Sequence, residues 1–369
     1  MRDLKSLPKG HLHLHLEGAM RFETLHDLCA VYGIAPPTDT RGRRFKDFGG
    51  FLKVFWAACD CIRSRDDLAR LIHEVAEDAI TDGAYWIELA FDAARYSTLR
   101  AGSPHQLFET QEEGWLFALE AAEAASRSTG VGVAFISAVD RIMPLEHAIE
   151  RARVTSKLVA DGRHEIHYQL PWFEGRHAGI VGFGLHGNEQ GHPPEPFAES
   201  FDVALEGTNL ISAPHAGEIA PSPGGGPASV TGAVDRLRAS RIAHGVLAIH
   251  DSALVGRLAA EQICLDICPT SNLLLNVFPS AEAHPLPRLL EAGVPCTLGS
   301  DDPLLFGPSL LDEFSLCRQE MGLDDEHLAA LARTSFQHSG APEPLKQAGL
   351  GAVASWLNSS SETRLGLAG

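Results

Sequence analysis

Three histidines alternate with leucines in the stretch HLHLHLEG, residues 11–18. Histidine is the commonest metal ligand, so this spacing raises metal chemistry first. Side chains alternate across a strand, which puts His11, His13 and His15 on one face and the leucines on the other. At a rise of ~3.3 Å per residue, neighbours in the histidine set stand about 6.6 Å apart, and His11 and His15 about 13 Å apart. Two adjacent histidines can meet on one ion with bonds of about 2.0–2.1 Å; all three cannot. Four later segments also carry groups that bind metal or move protons: GLHGNE (184–189), HAGE (215–218), AHG (243–245) and SDDP (300–303).

Positioning these groups requires a scaffold that brings distant segments to one edge. Strand-like segments fall at 11–16, 85–91, 131–139, 179–187, 210–218, 241–245, 263–268 and 295–302, with helical patterns such as 65–83 and 109–127 between most of them. Eight strands alternating with helices predict an α/β fold, a closed (β/α)8 TIM barrel spanning 1–369 as one domain. Nearly 70 residues separate the first two strands, and FETLHDLCAVYG and FGGFLKVFWAACDCI within them predict extra helices inserted after the first strand. Functional groups of such barrels gather at the C-terminal strand ends. Five of the eight ends carry the groups named above, and that edge selects His13 and His15 and leaves His11 deeper. With His215 and Asp301 they form a four-ligand set of nitrogen and oxygen donors, suited to one zinc per chain with a position kept for water.

Composition narrows the partners. The net charge is −18, and the densest basic patch, RGRR at 41–44, is short, so nucleic acid is not an expected partner. No apolar run is long enough to span a bilayer, and MRDLKSLPKG lacks an apolar core of signal-peptide length, so no membrane association and a cytoplasmic location are expected. Seven scattered cysteines do not suggest a disulfide framework, and Cys59 and Cys61 read as small buried apolar residues.

The segments LPKGHLHLHLEG (7–18), HAGE (215–218), RIAHG (241–245), CPTSN (268–272), HPL (284–286) and GSDDP (299–303), in this order, resemble the adenosine deaminase family. The resemblance implies a zinc-dependent barrel that hydrolyses the 6-amino group of adenine-type purines, with a small purine nucleoside or base as partner. It implies that His13, His15, His215 and Asp301 bind zinc. Glu218 would protonate ring nitrogen 1, His244 would stand beside the attacking water, and Asp302 would bond ring nitrogen 7. Gly187 would approach the base with its backbone, and His15 and Glu17 would border the substrate.

Some positions depart from the family's adenosine-specific pattern. Glu17 stands where those members carry Asp, and Gly184 replaces an Asp. HPP (192–194) is similar to adenine deaminases, whereas Gly187 keeps the adenosine-type glycine. Adenosine or a close derivative is the expected substrate; adenine, methylthioadenosine and aminodeoxyfutalosine stay open. The Pro/Gly-rich loop 219–230 is expected to overhang the mouth and the tail 357–369 to be exposed. Phe51, Phe55 and Trp56 read either as an apolar lid or as ordinary helix packing. Glu88 and Asp92 are expected to cap the next helix rather than reach substrate.

Overall fold

The computed structural model describes residues 1–219 and 226–359. Its strands are β1 (Lys9–His15), β2 (Ala84–Phe91), β3 (Gly132–Asp140), β4 (Glu165–Leu170), β5 (Phe173–Ala178), β6 (Ile180–His186), β7 (Ile211–Ser212), β8 (His215–Ala216), β9 (Arg241–His244), β10 (Cys264–Ile267) and β11 (Cys296–Leu298). Two parallel ladders run β1-β2-β3-β6-β7 and β8-β9-β10-β11. The expected fifth strand, 210–218, is split into β7 and β8 at Ala213 and Pro214 because proline has no N–H to give the ladder. The seam is still tied: Ala213 N–H donates to the Phe183 carbonyl at 2.9 Å, and Pro214 accepts from Ala243 N–H at 3.0 Å. The other seam is tied where Leu14 pairs with Asp301. There His15 N–H donates to the Asp301 carbonyl at 3.0 Å and Asp301 N–H to the His13 carbonyl at 3.3 Å. The result is the TIM barrel that the alternating pattern predicts.

Three helices fill the first connection: α1 (Phe22–Tyr32), α2 (Phe48–Cys61) and α3 (Arg65–Thr81). Each has a local stop or start signal. Gly33 ends α1 in the left-handed conformation at φ 64. Asp47 caps α2 by accepting from Gly50 N–H, and Ser64 with Asp67 forms a capping box on α3.

Two features differ from expectation. The antiparallel hairpin β4–β5 was not anticipated. Its alternation is short, and only Ile166, Tyr168 and Leu170 of β4 are buried; Tyr168 fixes it by donating its hydroxyl to the Val133 carbonyl at 2.9 Å. Glu88 caps nothing. It lies inside the barrel, accepting from Trp86 Nε1 at 3.0 Å, Gly340 N–H at 2.6 Å and Arg241 at 2.6 Å. Asp92 does cap, accepting from Ala94 N–H at 3.0 Å while pairing with Arg151 at 2.9 Å. Residues 220–225 and 360–369 lie outside the described residues, so the expectations about the overhanging loop and the tail fall largely there. Among the described residues no helix is long and apolar enough to cross a membrane.

Candidate active site

The C-terminal ends of β1, β8, β9 and the turn after β11 bring His13, His15, His215, His244 and Asp301 together, all buried. His13 Nε2 lies 3.4 Å and His15 Nε2 3.3 Å from Asp301 Oδ1, and the Nε2 atoms of His15 and His215 are 3.2 Å apart. Four ligands about 2.0–2.1 Å from a common tetrahedral centre stand about 3.4 Å from each other, so the spacing is that of a metal-ligand shell. The hydrogen-bonding state agrees. His13 Nδ1 donates to the Asp266 carbonyl at 2.9 Å and His215 Nδ1 to the Leu185 carbonyl at 3.0 Å. In the neutral ring each Nε2 is then a lone pair aimed inward, the arrangement by which outer partners fix a ligating histidine. His13 Nε2 has no hydrogen-bond partner. Inward lone pairs beside a buried carboxylate are satisfied by a cation.

His244 falls within the same group by distance, but its tautomer is different. Leu286 N–H donates to His284 Nδ1 at 3.2 Å. Burial pushes the His284 imidazole down to about 3, so it is neutral, and its remaining proton sits on Nε2. That proton goes to Asn272 Oδ1 at 3.1 Å. The Asn272 amide nitrogen therefore faces His244 Nδ1, at 3.4 Å, as donor. His244 Nδ1 must accept, and its own proton is on Nε2, 3.6 Å from Glu218 Oε1 and 3.8 Å from Asp301 Oδ2. A backbone N–H thus sets the state of a side chain at the site through two relays. An imidazole with N–H pointing inward is a donor, not a metal ligand. His11, as expected from its depth, is elsewhere: its Nε2 accepts from Ser300 N–H at 3.0 Å.

Glu218 leaves β8 on a turn held by Glu189, whose carboxylate accepts from the N–H groups of Gly217, Glu218 and Ile219 at 2.7, 2.9 and 3.2 Å. Burial, then the like charges of Asp301 and Glu189, push the Glu218 carboxyl well above the usual range, with Arg141 opposing. Asp302 is raised likewise, by burial and by Asp301, and its Oδ1 has no partner. In both, burial and neighbouring negative charge favour the protonated form. Space is made for Asp302 by Gly18, where a Cβ would stand 1.6 Å from Asp302 Oδ1. Gly187 has φ +91 and meets Asp140 Oδ1 at 2.3 Å in the same sense. The backbone at the site is itself unusual: His244 and Asp301 take φ 64 and 61, a left-handed conformation in non-glycine residues. Such conformations cluster at active sites.

A pocket opens onto this cluster. His15, Gly187, His215, Glu218, Asp301 and Asp302 line one side, and Phe51, Phe55 and Trp56 of α2 the other. The aromatic residues border the cavity, and Phe51 and Phe55 also pack in the hydrophobic core, so features of both readings are present. Glu17 is not among the lining side chains; its carboxylate accepts from the Tyr96 hydroxyl at 2.8 Å. The sequence reading missed Arg95 and Asp140 and took His186 only as part of GLHGNE; all three line the cavity. Asp140 ends β3 and His186 ends β6, so both were accessible to the strand-end argument; Arg95 carries no such signal.

Histidines and an acid grouped at the C-terminal edge of a parallel barrel define a metal-site hydrolase barrel. The family named "Adenosine deaminase" matches residues 8–356. The chain belongs to this family and is a purine deaminase. A Streptomyces virginiae protein provisionally named adenosine/adenine deaminase is 38% identical over 371 residues, covering 96% of this chain and 98% of its own. Aminodeoxyfutalosine deaminase of Streptomyces avermitilis is 33% identical, with 92% and 89% covered. Among solved structures, adenine deaminase from Arthrobacter aurescens superposes with a TM-score of 0.81 at 28% identity, covering 95% of this chain and 99% of that one.

Proposed function

We propose that the chain is a zinc-dependent aminohydrolase that replaces the 6-amino group of adenosine, or of a close adenosine derivative, giving the 6-oxopurine and ammonia. The observation that carries this reading is the division of labour among buried imidazoles and acids. Nδ1 of His13 and of His215 donates to a backbone carbonyl, Nδ1 of His244 faces the Asn272 amide, and burial favours the protonated forms of Glu218 and Asp302. His13, His15, His215 and Asp301 would hold one zinc, which when bound supplies a hydroxide nucleophile near neutral pH.

The remaining steps belong to the chain's own groups. Glu218 donates its proton to ring nitrogen 1 as the nucleophile adds to carbon 6, so negative charge does not build on the ring. His244 Nε2–H orients the nucleophile and meets the charge that develops on its oxygen. Asp302, protonated, donates to ring nitrogen 7, which is an acceptor. Gly187 lets the base edge approach the backbone, and the α2 aromatics cover the ring and exclude water. Glu17, which holds Tyr96, supports the wall beside the substrate.

Two relatives favour a second reading within the class. The names adenine deaminase and aminodeoxyfutalosine deaminase belong to proteins similar along nearly the whole chain, and Glu17 and HPP (192–194) depart from the adenosine-specific pattern. A panel of adenine, adenosine, 2′-deoxyadenosine, methylthioadenosine, aminodeoxyfutalosine and AMP, compared by kcat/KM on protein of measured zinc content, separates these. The proposal expects the highest value on a nucleoside; a preference for free adenine over every nucleoside would replace it.

A further inference from the structure

Arg95 is a cation inside the cavity wall, 5% exposed. It sits on the short 3-10 turn that follows β2, and its guanidinium lies 4.4 Å from the Trp56 ring centroid and 5.2 Å from that of Phe55. Among the described residues the guanidinium donates one hydrogen bond, from Nη1 to Cys59 Sγ at 3.0 Å. Burial pushes the Cys59 thiol up to about 12, so this partner is neutral. No carboxylate among the described residues pairs with Arg95, and those nearby are engaged elsewhere. Asp92 pairs with Arg151, Glu17 accepts from Tyr96, and Asp140 accepts from Ile142 N–H.

Arginine stays protonated in proteins. Glu17 and Asp92 favour the Arg95 charge from nearby without bonding to it, and a buried charge is best satisfied by a directly hydrogen-bonded partner. Arg95 lines the cavity, so a directly bonded anion would have access from the substrate side. Planar guanidinium donors match carboxylate and phosphate oxygens two at a time. Among the described residues Arg95 makes no hydrogen bond or ion pair to His13, His15, His215 or Asp301.

We infer that Arg95 forms an anion subsite, so that the natural substrate is a 6-aminopurine derivative bearing a carboxylate or phosphate on the substituent away from the reacting amino group. This deepens the deaminase reading and rests on it for the identity of the purine end. Cation–π contact with Trp56 and Phe55 holds the guanidinium against the lid helix, so anion binding and lid closure act on the same side chains.

The test separates the two claims. Zinc-loaded full-length protein is titrated calorimetrically at low salt with inosine, inosine 5′-phosphate and the 5′-carboxylate of inosine, none of which can be deaminated. The anionic ligands should bind at least ~10-fold more tightly than inosine, in keeping with charge-assisted hydrogen bonds. Arg95→Gln should erase that ratio and Arg95→Lys should keep part of it, whereas a purely structural role would leave the ratio unchanged in both variants. Phosphate and carboxylate arms that differ identify which anion the subsite takes. A ratio near one in the wild type, an unchanged ratio in Arg95→Gln, or no binding of any ligand overturns the subsite. The deaminase reading is judged apart, by ammonia release from the matching 6-amino compounds: release with no anion preference leaves that reading standing and removes the subsite.

Discussion

The rings of His13 and His244 lie 4.5 Å apart between centroids, yet hydrogen bonding gives them opposite tautomers. In the proposed mechanism that difference gives one to metal and the other to the nucleophile, and it makes Asn272 a positioning residue. Aspartate at 272 cannot donate to His244 Nδ1, so Asn272→Asp should turn His244 over to the wrong tautomer. kcat should fall by roughly 10²–10⁴-fold, the range of a lost acid–base or orienting group, with about one zinc still bound. Unchanged kcat would dismantle the relay. Glu218→Gln should likewise keep zinc and lose kcat to a similar degree, because the amide cannot protonate ring nitrogen 1. His15→Ala should lose metal together with activity, read by metal analysis of the purified variant; a full zinc complement there would remove His15 from the ligand set.

At the scale of elements, the segment CPTSN is held by a buried acid from the helix Leu310–Gln319. Glu313 accepts from Thr270 N–H at 3.2 Å, and burial pushes its carboxyl up to about 8. Between its ordinary value near 4.5 and about 8, the folded chain keeps a proton that the unfolded chain has released. Stability from this group is therefore present at low pH and is lost as pH rises across that window. Glu313→Gln removes the effect, so the variant should gain stability relative to wild type on going from pH 5 to pH 8. Urea unfolding of both proteins at the two pH values measures it; parallel changes would contradict the assignment. The elements themselves were largely legible in the sequence. Strands that end in histidine or aspartate announced the site, and α2 carried its aromatic periodicity. The β4–β5 hairpin was not legible, since its alternation lasts one short strand. The break at Pro214 was visible as a residue, but its effect depended on neighbours that keep the seam tied.

For the whole molecule, the site is a meeting of segments that no local pattern connects. The four proposed ligands come from β1, β8 and the turn after β11, so they were readable only because each is a strand end of a barrel. Arg95 faces the cavity only once α2 folds over it, and the proton on His244 is set by Asn272, 28 residues away in the chain. Spacing carries no trace of either. Metal should bind the folded barrel and not the open chain, which separates the ligand-bearing segments. Chelation should therefore lower Tm and zinc should restore it; zinc at ~100 times its Kd contributes about 2.7 kcal/mol. A Tm indifferent to chelator and zinc would mean that the cluster is not a metal site.

The central claim is that this chain removes the 6-amino group of a purine nucleoside through one zinc held by His13, His15, His215 and Asp301. Ammonia release measured alongside zinc content per chain, on wild type and on metal-stripped protein reconstituted with zinc, tests it most directly. The account predicts turnover of at least one 6-aminopurine nucleoside that rises in step with zinc and reaches its plateau at one ion per chain. Zinc at one per chain with no ammonia released from any 6-aminopurine, or full turnover in metal-free protein, would contradict it.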